Sequence, residues 1–121
     1  MHVLIVEDNP DLSEMLAMMC RLEGHHVHLA SNGRQALDQL GAGLAPDVIL
    51  LDLWMPGMDG WEFRRAQQQR PELARVPVIV VSSVTDAARI AEIAPRAVFA
   101  KPVDFDALFR TIEEIGSDSL N

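Results

Sequence analysis

The residues best suited to do chemistry in this sequence each follow a short apolar run. Two adjacent carboxylates follow the first run, a third follows the run 48–51, and two hydroxyls and an ammonium group follow later runs; the set is Glu7, Asp8, Asp52, Ser82, Ser83 and Lys101. Three carboxylates that lie close together need a compensating cation, and ligands that are all oxygen favour Mg²⁺ or Mn²⁺ over zinc. A carboxylate beside such an ion and a lysine can act as a nucleophile toward phosphorus, which forms an aspartyl phosphate.

Asp52 is the first candidate for this nucleophile. A charged group is costly inside an apolar strand but can reach solvent or a cation at the strand tip. Pro56 and Gly57 follow and break the strand. On this stretch alone, the simpler interpretation that Asp52 only caps a turn stays open. Lys101 and the Ser82 hydroxyl could neutralise the oxygens of a transferred phosphoryl group.

The elements that must position these side chains alternate regularly along the chain. Five apolar strands are predicted, at 3–6, 25–30, 48–51, 78–81 and 97–100, and each is followed by an amphipathic helix. This alternation predicts a doubly wound α/β fold in which helices cover both faces of a five-stranded parallel sheet. The carboxyl ends of parallel strands lie at one edge of such a sheet, so the active side chains should converge there.

Two helices carry predictions that depend on single residues. The first helix, capped by Asn9, should bury a face made of Leu12, Met15, Leu16, Met19 and Leu22. The last helix, capped by Asp104, should end at Gly116. The boundaries that follow are one domain at 1–116 and a short polar tail at 117–121.

Composition narrows the possible functions. The chain has 121 residues, 49% of them hydrophobic, and a formal net charge of -8. This charge disfavours direct binding of nucleic acid or an acidic membrane. A single cysteine, Cys20, cannot form an internal disulfide and fits a reducing cytosol. No apolar run approaches the ~20 residues of a membrane span, and no secretion signal precedes the first strand, so a cytoplasmic location is predicted.

Two features leave alternatives open. His26 and His28 share one face of the second strand and could form half of a metal site, but the polar face of an edge strand explains them as well and is favoured. Trp61 could contact a partner or could be a partly buried packing residue.

Taken together, these residues resemble the receiver domains of two-component response regulators, of the chemotaxis-regulator type. The resemblance rests on Glu7-Asp8, Asp52 with Met55-Pro56-x-x-Asp59-Gly60, Ser82 after an apolar strand, and Lys101-Pro102. The steps of 44 residues from Asp8 to Asp52 and of 30 from Asp52 to Ser82 also look like those of the family. The resemblance implies a flavodoxin-like (βα)5 fold with strand order 2-1-3-4-5.

The resemblance also implies a role for each site residue. Asp52 would accept a phosphoryl group from a histidine kinase or a histidine phosphotransfer protein. Asp8, Asp52 and the Trp54 backbone carbonyl would bind Mg²⁺ (or Mn²⁺) directly, and Glu7 would act through water. The output partner is not implied.

The remaining residues of the motif would complete the site. Ser82, with Ser83 beside it, would hydrogen-bond the phosphoryl group, and Lys101 would pair with it. Turn and loop positions would be held by Pro56, Asp59, Gly60 and Pro102, with a Lys101–Pro102 bond that is usually cis in the family.

Two departures affect the expected output. Family members usually carry Tyr or Phe three residues before the lysine, where this chain has Val98, and its aromatic residue is Phe99, one place later. The 19 residues from Ser82 to Lys101 also look about one helical turn short. The phosphorylation chemistry therefore looks complete, while the output is expected to use another surface or a changed fourth-helix geometry.

Two other classes of function compete with a signalling phosphoacceptor. A Mg²⁺-dependent phosphohydrolase with an aspartyl nucleophile usually has a second Asp two residues further on as general acid, and this chain has Trp54 there. A pure interaction domain with a vestigial pocket would not need the acidic and cationic residues, all of which are present. The prediction is therefore a phosphoacceptor that takes part in its own phosphorylation and dephosphorylation and is not a conventional enzyme.

Overall fold

A computed structural model describes residues 1–84 and 86–119. Within these residues the chain forms five strands and six helices, which we number in chain order: β1 (His2–Val6), α1 (Pro10–Leu22), β2 (His26–Ala30), α2 (Gly33–Gly41), β3 (Val48–Leu51), α3 (Gly60–Gln68), α4 (Pro71–Ala74), β4 (Val78–Ser82), α5 (Ala87–Ala91), β5 (Ala97–Ala100) and α6 (Phe105–Ser119).

The strands form one parallel sheet in the order β2-β1-β3-β4-β5. This confirms the doubly wound, flavodoxin-like fold and the predicted strand order. The central strand β3 is buried along its whole length, and its residues alternate between two apolar clusters, one on each face of the sheet. Burying a Val, Leu or Ile side chain contributes about 1.5–3 kcal/mol, so the uninterrupted apolar runs of the central strands provide much of the driving force for folding.

Helix α1 buries a face that overlaps the predicted one only in part. Met15 is 48% exposed and Leu22 is 76% exposed, whereas the buried stripe is Ser13, Leu16, Ala17 and Cys20. Leu16 belongs to both stripes, and the predicted Leu12 and Met19 are partly buried against the same cluster. The buried face is therefore shifted from the predicted one toward Ser13 and Ala17. The small side chains of Ser13 and Ala17 explain this shift, because they allow the helix to approach the sheet closely while Met15 and Met18 remain outside.

Helix α6 is longer than predicted. It continues through Gly116 to Ser119, so the expected end at Gly116 was wrong. A Cβ atom on Gly116 would lie 3.0 Å from the sulfur of Met1. This glycine therefore permits close packing against the start of β1. The end of the predicted polar tail, residues 120–121, lies outside the described residues.

Two further differences concern the short helices. The single turn α4 was not predicted; it begins at Pro71, which suits the first position of a helix. Helix α5 has only five residues and is capped by Asp86. Its brevity agrees with the short interval between Ser82 and Lys101. In the part of the chain that the structure describes, none of the helices combines the length and the hydropathy needed to cross a membrane.

Candidate functional site

The carboxyl ends of the strands meet as the sequence predicts. Pairing continues one step beyond the apolar runs, because the Asp52 amide donates to the Val6 carbonyl at 3.0 Å and the Lys101 amide donates to the Ser82 carbonyl at 3.3 Å. Residues separated by up to 94 positions in sequence are thereby fixed at one edge of the sheet. A ligand site at this edge is what an open parallel sheet favours.

Lys101 bridges two buried carboxylates at this edge. Its Nζ lies 2.8 Å from Glu7 Oε1 and 3.3 Å from Asp52 Oδ2. Glu7 and Asp52 are 4% and 5% exposed. Because two carboxylates are costly to bury without positive charge, the ammonium group is the partner that makes this burial tolerable.

The pKa values reflect the competition between burial and pairing. Burial raises the pKa of Glu7 to about 7, although the hydrogen bond from Lys101 acts to lower it. For Lys101, burial acts to lower the pKa, but the hydrogen bond to Glu7 and the charge of Asp52 outweigh it and the net pKa is raised. The site is therefore short of positive charge even with Lys101 in place.

The acidic residues fit a hard divalent cation. Carboxylate oxygens of Glu7, Asp8 and Asp52 all lie within 4.8 Å of one another, and oxygen ligands are those that Mg²⁺ prefers. Both oxygens of Glu7 are already used, one by Lys101 and the other by the Asn9 amide at 3.1 Å. The two oxygens of Asp52 are likewise used, one by Lys101 and the other by the Leu53 amide at 2.8 Å. The exposed Asp8 is therefore the most open of the three acids, and the direct role expected for Asp52 and the indirect role expected for Glu7 stay predictions. The role of the Trp54 carbonyl stays a prediction.

Ser82 is the last residue of β4 and is 1% exposed. It pairs in register with Ala100, next to Lys101, and its Oγ accepts a hydrogen bond from the Val84 amide at 3.3 Å. Its backbone thus adjoins that of Lys101, while its hydroxyl is engaged with its own loop. Ser83 is exposed, and its predicted part in holding a phosphoryl group stays a prediction.

The start of α3 packs closely against the backbone of Asp52 and Leu53. Asp59 caps α3 and forms a reciprocal capping box with Glu62. The Gly60 amide donates to the Leu53 carbonyl at 3.0 Å. A Cβ atom on Gly60 would lie only 2.4 Å from the Asp52 carbonyl oxygen, so this position requires glycine. Pro56 lies in the turn before the cap, and the Lys101–Pro102 bond is cis.

Comparison with known proteins decides the family. The model of the response regulator receiver domain matches residues 3–113 of this chain. The chain belongs to the response regulator receiver domains.

Similar proteins show how far the likeness extends. The protein PilH of Pseudomonas aeruginosa is 34% identical over 94% of this chain and 96% of its own length. The regulatory protein AtoC of Escherichia coli is 36% identical over 88% of this chain, which spans only 23% of AtoC. The solved receiver domain of a signal transduction histidine kinase from Syntrophus aciditrophicus superposes with a TM-score of 0.90, at 30% identity, over 97% of this chain and 90% of that one.

The structure shows why Phe99 cannot take the place of the aromatic residue expected at position 98. Val98 pairs with Val80 and is 45% exposed, while Phe99 pairs with Val81 and packs against the cluster on the opposite face of the sheet. Successive side chains of a strand point to opposite faces. An aromatic ring displaced by one residue is therefore on the wrong side of the receiver's sheet.

A cluster of two indoles and one guanidinium, which sequence reasoning missed, lies beside the receiver's site. Trp61 is buried, so of the two roles left open by the sequence it has the packing role. Its Nε1 donates a hydrogen bond to the Arg89 carbonyl of α5 at 3.0 Å. The Arg89 guanidinium lies 3.9 Å from the Trp61 ring centroid and 5.8 Å from that of the exposed Trp54. The two indoles meet edge to face, with centroids 5.2 Å apart. No local signal predicts a contact between residues 28 positions apart.

Proposed function

We propose that this receiver accepts a phosphoryl group on Asp52 and signals through the change that follows. The observation that carries the proposal is the contact between Lys101 and the buried Asp52 carboxylate, whose nitrogen and oxygen are 3.3 Å apart. Asp52 belongs to a group of three neighbouring carboxylates, Glu7, Asp8 and Asp52, which we call the acid trio. A buried carboxylate held next to a fixed ammonium group and a hydroxyl is suited to react with phosphorus and to hold the product.

The chain's own groups would share the work of transfer. An Asp52 carboxylate oxygen attacks the phosphorus, so that an oxygen–phosphorus bond forms as the bond from phosphorus to the donor's histidine nitrogen breaks. Lys101 would release Glu7 or Asp52 to pair with one phosphoryl oxygen, and Ser82 would exchange its bond with the Val84 amide for another. A Mg²⁺ (or Mn²⁺) ion held by Asp8, Asp52 and the Trp54 carbonyl, with Glu7 acting through water, would supply further positive charge.

The direct test uses a small phosphodonor. Incubation with acetyl phosphate and Mg²⁺ should add one phosphoryl group to the protein, detected by mass spectrometry and mapped to Asp52. Removal of the divalent ion by chelation should prevent the labelling, because Lys101 alone does not balance three acids. Labelling that is equally fast with chelator present would contradict the metal-dependent mechanism.

The same experiment separates the competing functions. Steady turnover of many phosphate esters per protein would favour a phosphohydrolase, but the position of its general acid is occupied by the exposed indole of Trp54. Absence of both labelling and Mg²⁺ binding would favour an interaction domain. We propose a cytoplasmic phosphoacceptor that takes part in its own phosphorylation and dephosphorylation, without direct contact to nucleic acid or membrane.

We propose that the phosphorylated histidine donor, a kinase or a phosphotransfer protein, docks on the outer face of α1. Two shallow grooves meet there and share Met15: one runs along α1 past Met18 to Leu29, and the other reaches Lys101 and Phe105. A donor that brings phosphohistidine to Asp52 must cover the surface around the site. These exposed methionines are adaptable apolar contacts continuous with it.

Met15→Glu is therefore expected to slow phosphoryl transfer from such a donor about tenfold or more, the loss typical of one good interface anchor. Labelling by acetyl phosphate should not change, because Met15 is half exposed and lies outside the acid trio. The measurement compares both donors, using the kinase that labels the unaltered protein fastest. Leu22→Glu is the matched control, seven residues or about 10 Å further along the helix. If Met15→Glu and Leu22→Glu slow phosphoryl transfer equally, or if neither slows it, this docking face would be excluded.

We propose that the cluster Trp54–Trp61–Arg89 transmits the phosphorylation state to α5 in place of the missing aromatic residue. Trp54 follows the phosphoacceptor by two residues, and Arg89 belongs to the helix that follows Ser82. A shift of Ser82 toward a phosphoryl group would pull on α5 and would slide Arg89 across the two indoles. This supports an output through α5.

Arg89→Gln should uncouple this response while leaving acetyl phosphate labelling intact. The chain has two tryptophans and both belong to this cluster, so phosphorylation should change the tryptophan fluorescence, and Arg89→Gln should remove most of that change. Stability should fall by no more than about 1 kcal/mol, the value of an exposed cation–π contact. Arg34→Gln, at an exposed arginine on α2, is the control. An unchanged fluorescence response in Arg89→Gln would refute the coupling.

A further inference from the structure

The amino ends of β1 and β2 carry a cluster of imidazole rings that the phosphoacceptor function does not use. In the parallel register His2 pairs with His26 and Leu4 pairs with His28, so the three histidine side chains project from the same face of the sheet. The ring centroid of His2 lies 4.8 Å from that of His26 and 5.4 Å from that of His28. Five residues of strand, about 16 Å, separate His2 from the acids at the opposite edge.

The closest contact in this cluster joins two nitrogens. His2 Nδ1 and His28 Nε2 are 3.1 Å apart. Two nitrogen ligands at about 2.0–2.1 Å from one tetrahedral or square-planar ion lie about 2.9–3.4 Å from each other. The observed separation is within this range, so a metal ion could replace the proton shared by the two rings without moving either strand.

We propose that His2 and His28, with His26 as a third ligand, bind a divalent transition-metal ion of the kind that imidazole prefers, such as Zn²⁺ or Ni²⁺. Imidazole nitrogens favour these ions, whereas the oxygen ligands of the acid trio favour Mg²⁺. The ion would join edge strand β2 to β1 at the end of the sheet that is remote from Asp52.

Hydrogen bonds hold the backbone of this site in place. The His2 amide donates to the Asp47 carboxylate at 2.7 Å, and its carbonyl accepts from the Asp47 amide at 2.8 Å. Burial, followed by the neighbouring charges of His2 and His26, lowers the pKa of His28. A neutral ring at neutral pH is the form that binds metal.

The third ligand requires a side-chain rotation. Among residues 1–84 and 86–119, the acid trio has three ligand atoms that all lie within 4.8 Å of one another, and the three histidines do not yet meet this condition. His26 must therefore turn about its side-chain bonds to direct a nitrogen at the ion. Its ring is exposed and rests against His2, so this rotation breaks little packing.

The test is a titration of the full chain with Zn²⁺, and separately with Ni²⁺, in excess Mg²⁺ to occupy the acid trio. One ion should bind, and His2→Gln and His28→Gln should each weaken binding at least about tenfold, since even loss of a residue that only supports a ligand costs 10–100-fold. His25→Gln is the matched control, because this fourth histidine contacts the Met1 amino group instead. Its affinity should equal that of the unaltered protein.

A second measurement needs no variant. Ni²⁺ in a tetrahedral or six-coordinate site is paramagnetic and should broaden the NMR ring signals of His2 and His28 first, and those of His25 least. The proposal is overturned if His28→Gln binds Zn²⁺ as tightly as the unaltered protein, if His25→Gln loses as much affinity as His28→Gln, or if broadening is strongest at the acid trio. None of these outcomes bears on phosphorylation of Asp52.

Discussion

Asp52→Asn is expected to abolish labelling by acetyl phosphate completely. The amide keeps the shape of the side chain and can still accept the hydrogen bond that the Leu53 amide donates to Asp52 Oδ1 at 2.8 Å. It removes the negative oxygen that attacks phosphorus and one of the two carboxylates of the Lys101 bridge. Mass spectrometry after incubation with donor and Mg²⁺ measures the effect.

The fold should survive this change, so the loss can be assigned to chemistry. Removing one of three crowded carboxylates relieves their repulsion, and Lys101 keeps its 2.8 Å bond to Glu7. The free energy of unfolding in urea should therefore stay within about 1 kcal/mol of the original or rise. Asp38→Asn, at an exposed aspartate of α2, makes the same charge change and should keep full labelling. Residual labelling of Asp52→Asn would show that another residue accepts the phosphoryl group.

Gly60→Ala is expected to damage both stability and phosphorylation, although Ala favours helices more than Gly does by about 1 kcal/mol. The added Cβ would lie 2.4 Å from the Asp52 carbonyl oxygen and 2.8 Å from the Leu53 Cα. These are backbone atoms that cannot rotate away. The overpacking should cost about 1–3 kcal/mol in the free energy of unfolding and should displace Asp52, which slows acetyl phosphate labelling.

Gly41→Ala is the matched control for this prediction. Gly41 also lies in a helix, but the nearest atom to its added Cβ is a terminal nitrogen of Arg70 at 3.9 Å. The same substitution should there be neutral or stabilising by up to about 1 kcal/mol. Urea midpoints and labelling rates of the two variants give the comparison. A Gly60→Ala protein as stable and as reactive as Gly41→Ala would show that the loop adjusts without cost.

The sequence alone determined the fold and the composition of the candidate site. Apolar strands such as 48–51 can be buried only inside a sheet, so their tips had to share an edge. Polar residues at those tips, Asp52 and Lys101 among them, could therefore be predicted to meet. Local signals were also sufficient for the caps at Asn9 and Asp104, whose side chains accept hydrogen bonds from the first turns of their helices.

The tertiary structure decided which side chains face inward and which distant residues meet. The buried stripe of α1 depends on how closely Ser13 and Ala17 let the helix approach the sheet. The spacing of apolar residues in the sequence does not predict this distance between helix and sheet. Helix α6 continues past Gly116 and lies there against Met1, which is 115 residues earlier in the chain. The contacts of Arg89 with Trp61 and of His2 with His28 likewise depend on strand register and helix packing, which arise only when the whole chain is folded.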